Sequence, residues 1–179
     1  MDNRQEFIEY VLYIAKNCKG LTLTKLYKLL WFANIAYADE FGGILVKDVF
    51  IKQKFWPVPQ LGREYIESVR ASKGSQDENI QLKFSHINGY EYIHINALRE
   101  YNPDYFTETD RMILDKTIQK YGSDTATNLS AMSHDIAWQE AGMYAMINIT
   151  RDMKKAQNKP IVEEQYDDVT FLTQSMIYV

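Results

Sequence analysis

Leu21-Thr22-Leu23-Thr24-Lys25-Leu26-Tyr27-Lys28-Leu29-Leu30-Trp31-Phe32-Ala33 is the stretch that decides the architecture. Leu23, Leu26, Tyr27, Leu30, Ala33 and, further on, Tyr37 recur at the helical period and make a wide apolar stripe. Lys25 and Lys28 fall on the polar side. The pattern predicts a helix from Thr22 to Glu40, stopped by Gly42-Gly43. So wide a stripe needs partners on more than one side, which places this helix at the centre of the core.

Upstream, Phe7, Val11, Ile14, Ala15 and Cys18 predict a helix from Gln5 to Cys18, with Glu9 and Lys16 facing outward and Gly20 as its stop. Downstream, Ile44 to Trp56 is β-branched and aromatic and reads as an extended segment closed by Pro57-Val58-Pro59. Gln60 to Arg70 reads as a third helix, with Leu61, Tyr65, Ile66 and Val69 inward. Ala71 to Asn79 reads as a surface loop.

Asn88-Gly89 is the preferred two-residue hairpin turn, because both residues tolerate positive φ. Counting outward pairs Ile87 with Tyr90, His86 with Glu91, Phe84 with Ile93 and Leu82 with Ile95. Opposed residues share a face. Leu82, Phe84, Ile93 and Ile95 then form an apolar face, and Lys83, Ser85, Tyr92 and His94 the other. Thr107-Glu108-Thr109-Asp110 reads as a capping box with Asp in the fourth position, opening a helix to about Tyr121 that Gly122 ends. Short helices follow over Asp124 to Met132 and His134 to Ala141. Met143 to Gln157 favours no single reading. The fold class is mainly α with a small β-hairpin (α+β), one compact helical domain over residues 1–159 and an acidic tail over 160–179.

Composition limits the function classes. The chain has 179 residues, 46% of them hydrophobic, which is enough for one domain with its own core. Met1-Asp2-Asn3-Arg4-Gln5-Glu6 leads into an apolar stretch broken by Glu9, unlike a signal peptide. Leu29 to Ala38 is too short to span a bilayer, so no membrane association is expected, and the expected location is the cytoplasm. One cysteine, Cys18, excludes an internal disulfide and a multi-thiolate zinc site. Glu163, Glu164, Asp167 and Asp168 carry the whole net charge of −4, since the residues before Pro160 are formally neutral. Such a balance does not favour nucleic acid as partner.

No catalytic, cofactor-binding or metal-binding set is expected. His86 and His94 point to opposite faces of the hairpin, and His134 and Asp135 are helical neighbours that cannot converge. His134 and Trp138, at i and i+4, read as a packed structural pair. Cys18 reads as a small core residue. Lys25 and Lys28 read as snorkelling from a buried helix, with phosphate contact as the alternative.

The opening stretch also resembles the start of the Panacea (SocA-like) domain, which carries a Leu-Thr-x-x-Lys-Leu-x-Lys-Leu-Leu-Tyr-Phe-Ala segment. Lys25, Leu26, Leu29 and Leu30 match it. Gly43-Ile44-Leu45 with Asp48, then Pro57-Val58, Tyr121-Gly122, Leu129-Ser130, and Ser133-His134 with Trp138 resemble later landmarks in the same order. The resemblance runs from Phe7 to Gly142. Trp56 stands where the family usually has Gly before the proline, and the proline expected before Leu45 is missing, so a different turn conformation is expected there. The resemblance implies a phage-associated antitoxin that neutralises a cognate toxin by direct binding. Its alternative within the family is an adaptor that delivers the toxin to a protease.

From outside the family, a winged-helix repressor is the rival, with the hairpin as wing and Lys83 and His94 outward. Glu163, Glu164, Tyr166, Asp167, Asp168, Phe171 and Tyr178 are the partner-binding candidates, because an acidic, aromatic segment complements a basic toxin surface. The competing reading docks the same tail as a last core helix.

Overall fold

The computed structural model describes residues 2–54, 56–133 and 136–149, and every structural statement below concerns these residues. The tail candidates, His134, and the boundary at residue 159 lie outside them.

Helix α1 spans Asn3–Asn17 and α2 Leu23–Phe41. Each start is capped by a side chain of the expected kind: Asp2 accepts from the Arg4 N–H and Thr22 from the Lys25 N–H. Gly42 ends α2 in the left-handed conformation, at φ 76°. Both helices are buried on more sides than an amphipathic surface helix. Every residue from Glu6 to Ile14 in α1, and from Leu26 to Asn34 in α2, is buried. The α2 helix is the centre of the molecule, as its stripe predicts, and it touches the elements around it from several directions.

Two of the sequence expectations for these helices are corrected here. Glu9 is not on the outer side of α1 but is 1% exposed. Its carboxylate accepts from Arg99 Nη2 at 2.6 Å, from the Asn102 N–H at 2.7 Å and from Gln5 Nε2 at 3.0 Å. Lys28 is not on a polar face either, and is fully buried.

Strands β1 (Phe50–Lys52) and β2 (Pro57–Pro59) form a short antiparallel ribbon, with Ile51 opposite Val58. The proline segment thus pairs with the extended segment that it was expected merely to close. Two prolines are tolerated in β2 because Phe50 and Lys52, opposite them, turn their backbone groups the other way. The Lys52 N–H donates to the Ala145 carbonyl, the Lys52 carbonyl accepts from the Tyr144 N–H, and the Phe50 carbonyl accepts from the Ile147 N–H. Residues 144–147, ambiguous in sequence, therefore run along the far side of β1. Positive φ outside glycine is confined to Ser75, Asn88 and Tyr144 among the described residues, so Trp56 does not take the left-handed turn that a glycine would permit.

Helix α3 (Gln60–Ala71) buries Gly62, Tyr65, Ile66 and Val69. Its N-cap, Pro59, offers no side-chain bond. Asp48 supplies it from a distance: Oδ1 accepts from the Leu61 N–H at 3.0 Å and Oδ2 from the Gly62 N–H at 2.9 Å. Gly62 lies so close to α1 that a Cβ there would overlap the Phe7 ring.

Strands β3 (Ile80–Ile87) and β4 (Tyr90–Ala97) form the hairpin in the predicted register, residue for residue, with Asn88 at φ 52° and Gly89 at φ 80°. Leu82 and Ile95 enter the core, and the Ile95 N–H bonds to the Leu21 carbonyl just before α2. Helix α4 (Glu108–Tyr121) opens with the capping box complete in both directions, Thr107 with Asp110. Short helices α5 (Ala126–Met132) and α6 (Ile136–Glu140) complete the array against α2 and β1. The architecture is α+β: six helices and two small antiparallel sheets among the described residues.

Candidate partner-binding surface

Both lysines of the opening stretch are bonded within the chain, Lys25 half-buried and Lys28 fully buried. Lys25 Nζ donates to the Gly122 carbonyl at 2.8 Å. Lys28 Nζ donates to Ser133 Oγ at 2.6 Å, and lies 5.3 Å from the centre of the Trp56 ring. Beside it, Lys52 Nζ donates to the carbonyls of Gln139 and Ala141, at 3.3 and 2.9 Å, and lies 4.2 Å from the centre of the Trp138 ring. An ammonium at the carbonyl end of α6 and near an aromatic ring is favourable on both counts. Lys28 and Lys52 therefore clamp α5 and α6 onto α2 and β1. Lys28, fully buried and bonded to Ser133, is thus withdrawn from phosphate contact, while Lys25 stays half-buried with its bond to Gly122.

Other reactive groups are held apart. His94 Nε2 lies 2.8 Å from Ser85 Oγ, while His86 Nε2 is 3.9 Å from Glu91 on the opposite face. The Cys18 thiol is buried, which pushes its pKa up and away from thiolate chemistry. No cluster of His, Cys, Asp and Glu suited to a metal occurs among the described residues. None of their helices is long and apolar enough to cross a membrane.

These landmarks fall together in space although the sequence scatters them. Lys28 from α2, Trp56 and Pro57 from the turn into β2, Ser133 after α5 and Trp138 in α6 belong to one neighbourhood. A family model described as "Antitoxin SocA-like, Panacea domain" matches residues 26–139, well over half of the chain. The chain belongs to the SocA-like Panacea family. Searches of curated proteins and of solved structures gave no match. The Panacea motif positions Leu26, Leu29 and Leu30 are fully buried, and Pro57 is buried in β2. Leu26, Leu29, Leu30 and Pro57 of the Panacea signature are thus framework residues in this chain.

Two surface regions differ from the rest. The first is a groove of about 490 Å³ between the β1–β2 ribbon and α3, lined by Ile51, Val58, Arg63, Glu64, Glu67 and Tyr144. Tyr144 borders it at φ 64°, a strained value for a bulky side chain.

The second is the outer face of the hairpin. Its inner face is buried at the base, where Leu82 and Ile95 enter the core; toward the turn the Arg70 guanidinium sits 5.5 Å from the Phe84 ring centre while pairing with Glu91 at 2.8 Å, and Phe84 stays 38% exposed. The outer face meets the start of α2 at its base, through the bridge between Thr22 and His94, and is open toward the turn. Ile87 is 54% exposed, Tyr90 71% and Tyr92 37%. Ile87 and Tyr90 are directly opposed, and Tyr92 lies on the same face, opposite Ser85. Tyr side chains presented in this way suit contact with another protein, since each adds apolar area with few rotors to freeze. The alternation read from the sequence already put Tyr92 on this face. Extending that count to the turn adds Ile87 and Tyr90, which the sequence reading left unused.

Proposed function

We propose that this chain is an antitoxin that neutralises a co-encoded toxin by direct protein–protein binding, with no chemistry of its own. The observation that carries the reading is the outer hairpin face, where Ile87, Tyr90 and Tyr92 stand exposed on a two-stranded antiparallel support. Membership of an antitoxin-like family supplies the class of partner. Burial of Lys28 and the internal bond of Lys25 favour protein over DNA, because the two helix lysines considered for phosphate contact are bonded inside the chain. The proposed unit of function is the domain over residues 1–159, acting in the cytoplasm. Glu163, Glu164, Tyr166, Asp167, Asp168, Phe171 and Tyr178 are proposed as a second, charge-complementary contact.

Co-expression with the protein encoded by the adjacent reading frame tests this reading. The wild-type chain should restore growth and co-purify with that protein. Tyr90→Ala combined with Ile87→Ser should fold normally, bind poorly and lose rescue. Full rescue by the double variant would remove the hairpin from the interface.

A further inference from the structure

The outer hairpin face does not end at its aromatic tip. At the base of the hairpin it runs into a pocket of about 310 Å³ between β4 and the connection from α1 to α2. Lys16, Lys19, Gly20, His94 and Asn96 are among its lining residues, and no carboxylate lines it. Lys16 is paired with Glu100. Lys19 is exposed and makes no hydrogen bond or ion pair among the described residues. His94 and Asn96 belong to the same face as Tyr92, being its alternate neighbours along β4. Alternate residues of a strand lie about 7 Å apart, so Asn96, His94, Tyr92 and Tyr90 form a strip about 20 Å long. One end is polar and cationic, and the other is apolar and aromatic.

We propose that this pocket receives an acidic side chain of the protein partner whose apolar surface is held by Tyr90, Tyr92 and Ile87. The inference rests on the antitoxin reading and adds the chemistry of the recognised surface: an apolar patch with a carboxylate about 15–20 Å away. The argument is charge complementarity. Lys19 supplies a positive charge without an internal partner, Asn96 supplies amide hydrogen-bonding capacity, and the lining adds no anion to repel the incoming group. An exposed cation beside an apolar anchor mainly speeds encounter and selects among partners, while the aromatic contact slows release. Duplex DNA is the other class of ligand that a cationic pocket suits. It is disfavoured by the tip, which offers Ile87 and two tyrosines to a partner, whereas Lys83, the exposed lysine of this face, lies opposite His94 at the cationic end.

The test is the binding kinetics of the full chain against the purified protein from the adjacent reading frame, at 50 and 300 mM salt. Lys19→Glu reverses the charge, and Asn96→Asp places a carboxylate in the pocket without removing a lysine. Lys116→Glu, an exposed position on α4, is the control of equal charge change. Melting temperatures establish that all variants fold. We expect Lys19→Glu and Asn96→Asp each to weaken binding at least tenfold at low salt, chiefly through a slower association rate, and to flatten the salt dependence. The control should bind as wild type does. If both pocket variants bind like wild type while Tyr90→Ala does not, the pocket is no part of the interface and the inference is overturned. A wild-type chain that ignores the toxin sinks the antitoxin reading itself, and this site with it. Tight, steeply salt-dependent binding of promoter DNA that Lys19→Glu abolishes would overturn the protein-partner assignment in favour of nucleic acid.

Discussion

Arg99→Met should destabilise the fold far more than an ordinary surface substitution. Arg99 Nη2 and Nη1 donate to the Glu9 carboxylate at 2.6 and 3.3 Å, and Arg99 Nε donates to Asn79 Oδ1 at 2.7 Å. The Glu9 side chain is only 2% exposed, whereas that of Arg99 is 33% exposed. Breaking a fully buried pair by removing one partner costs about 3–5 kcal/mol. Two features reduce that figure here. Water can reach the space vacated by the guanidinium, and Glu9 keeps the Asn102 N–H and Gln5 as donors. About 2–3 kcal/mol remains. Urea unfolding followed by circular dichroism reads this directly: with a slope of about 1–3 kcal/mol per molar, the midpoint should fall by about 0.7–3 M. The double variant Glu9→Leu with Arg99→Met should recover part of the loss, because no unpaired charge then stays inside. An Arg99→Met midpoint within 0.3 M of wild type would refute the burial of Glu9 as described.

Other expectations follow from the packing and from one carboxyl. Leu30→Ala, at a fully buried position of α2, should cost about 2–5 kcal/mol, checked by the same unfolding curves. Gly62→Ala should cost about 1–3 kcal/mol by driving a methyl into Phe7, and Phe7→Leu should relieve it; additive losses would contradict the close approach of α1 and α3. Burial pushes the Asp48 carboxyl up to about 6, although backbone N–H bonds at α3 oppose the shift. Its folded pKa thus exceeds the unfolded value of 3.8, so its contribution is complete below pH 3.8 and is lost as pH rises through 6. Going from pH 7 to pH 5 should stabilise wild type relative to Asp48→Asn by about 1 kcal/mol, and equal pH slopes for the two chains would contradict it.

Features set by neighbours in the sequence were legible, and those set by distant partners were not. Asn88-Gly89 fixes its turn through two residues at positive φ, so the hairpin register followed from counting. Thr107 and Asp110 cap a helix across three residues and were equally readable. Lys28 and Glu9 were misplaced because a charge on a helix defaults to solvent. Their partners, Ser133 and Arg99, lie 105 and 90 residues away. The pairing of Pro57–Pro59 was hidden for a similar reason. Proline argues against a strand until residues 144–147 are seen to take up the backbone groups of β1. The family could be read from ordered motifs, but those motifs describe the frame. The face of Tyr92 and His94 was legible from the alternation, but the exposure of Ile87 and Tyr90 beside the turn emerged only from the structure.

The central claim is neutralisation by binding, and stoichiometry tests it most directly. Purified chain should be titrated into a fixed amount of the protein from the adjacent reading frame while the residual toxic activity is measured. The account predicts a linear fall to zero that ends at a fixed molar ratio near equivalence, with no dependence on incubation time and with activity recovered when the complex is dissociated. Complete inactivation by a small fraction of an equivalent, growing with time, would show turnover and contradict it.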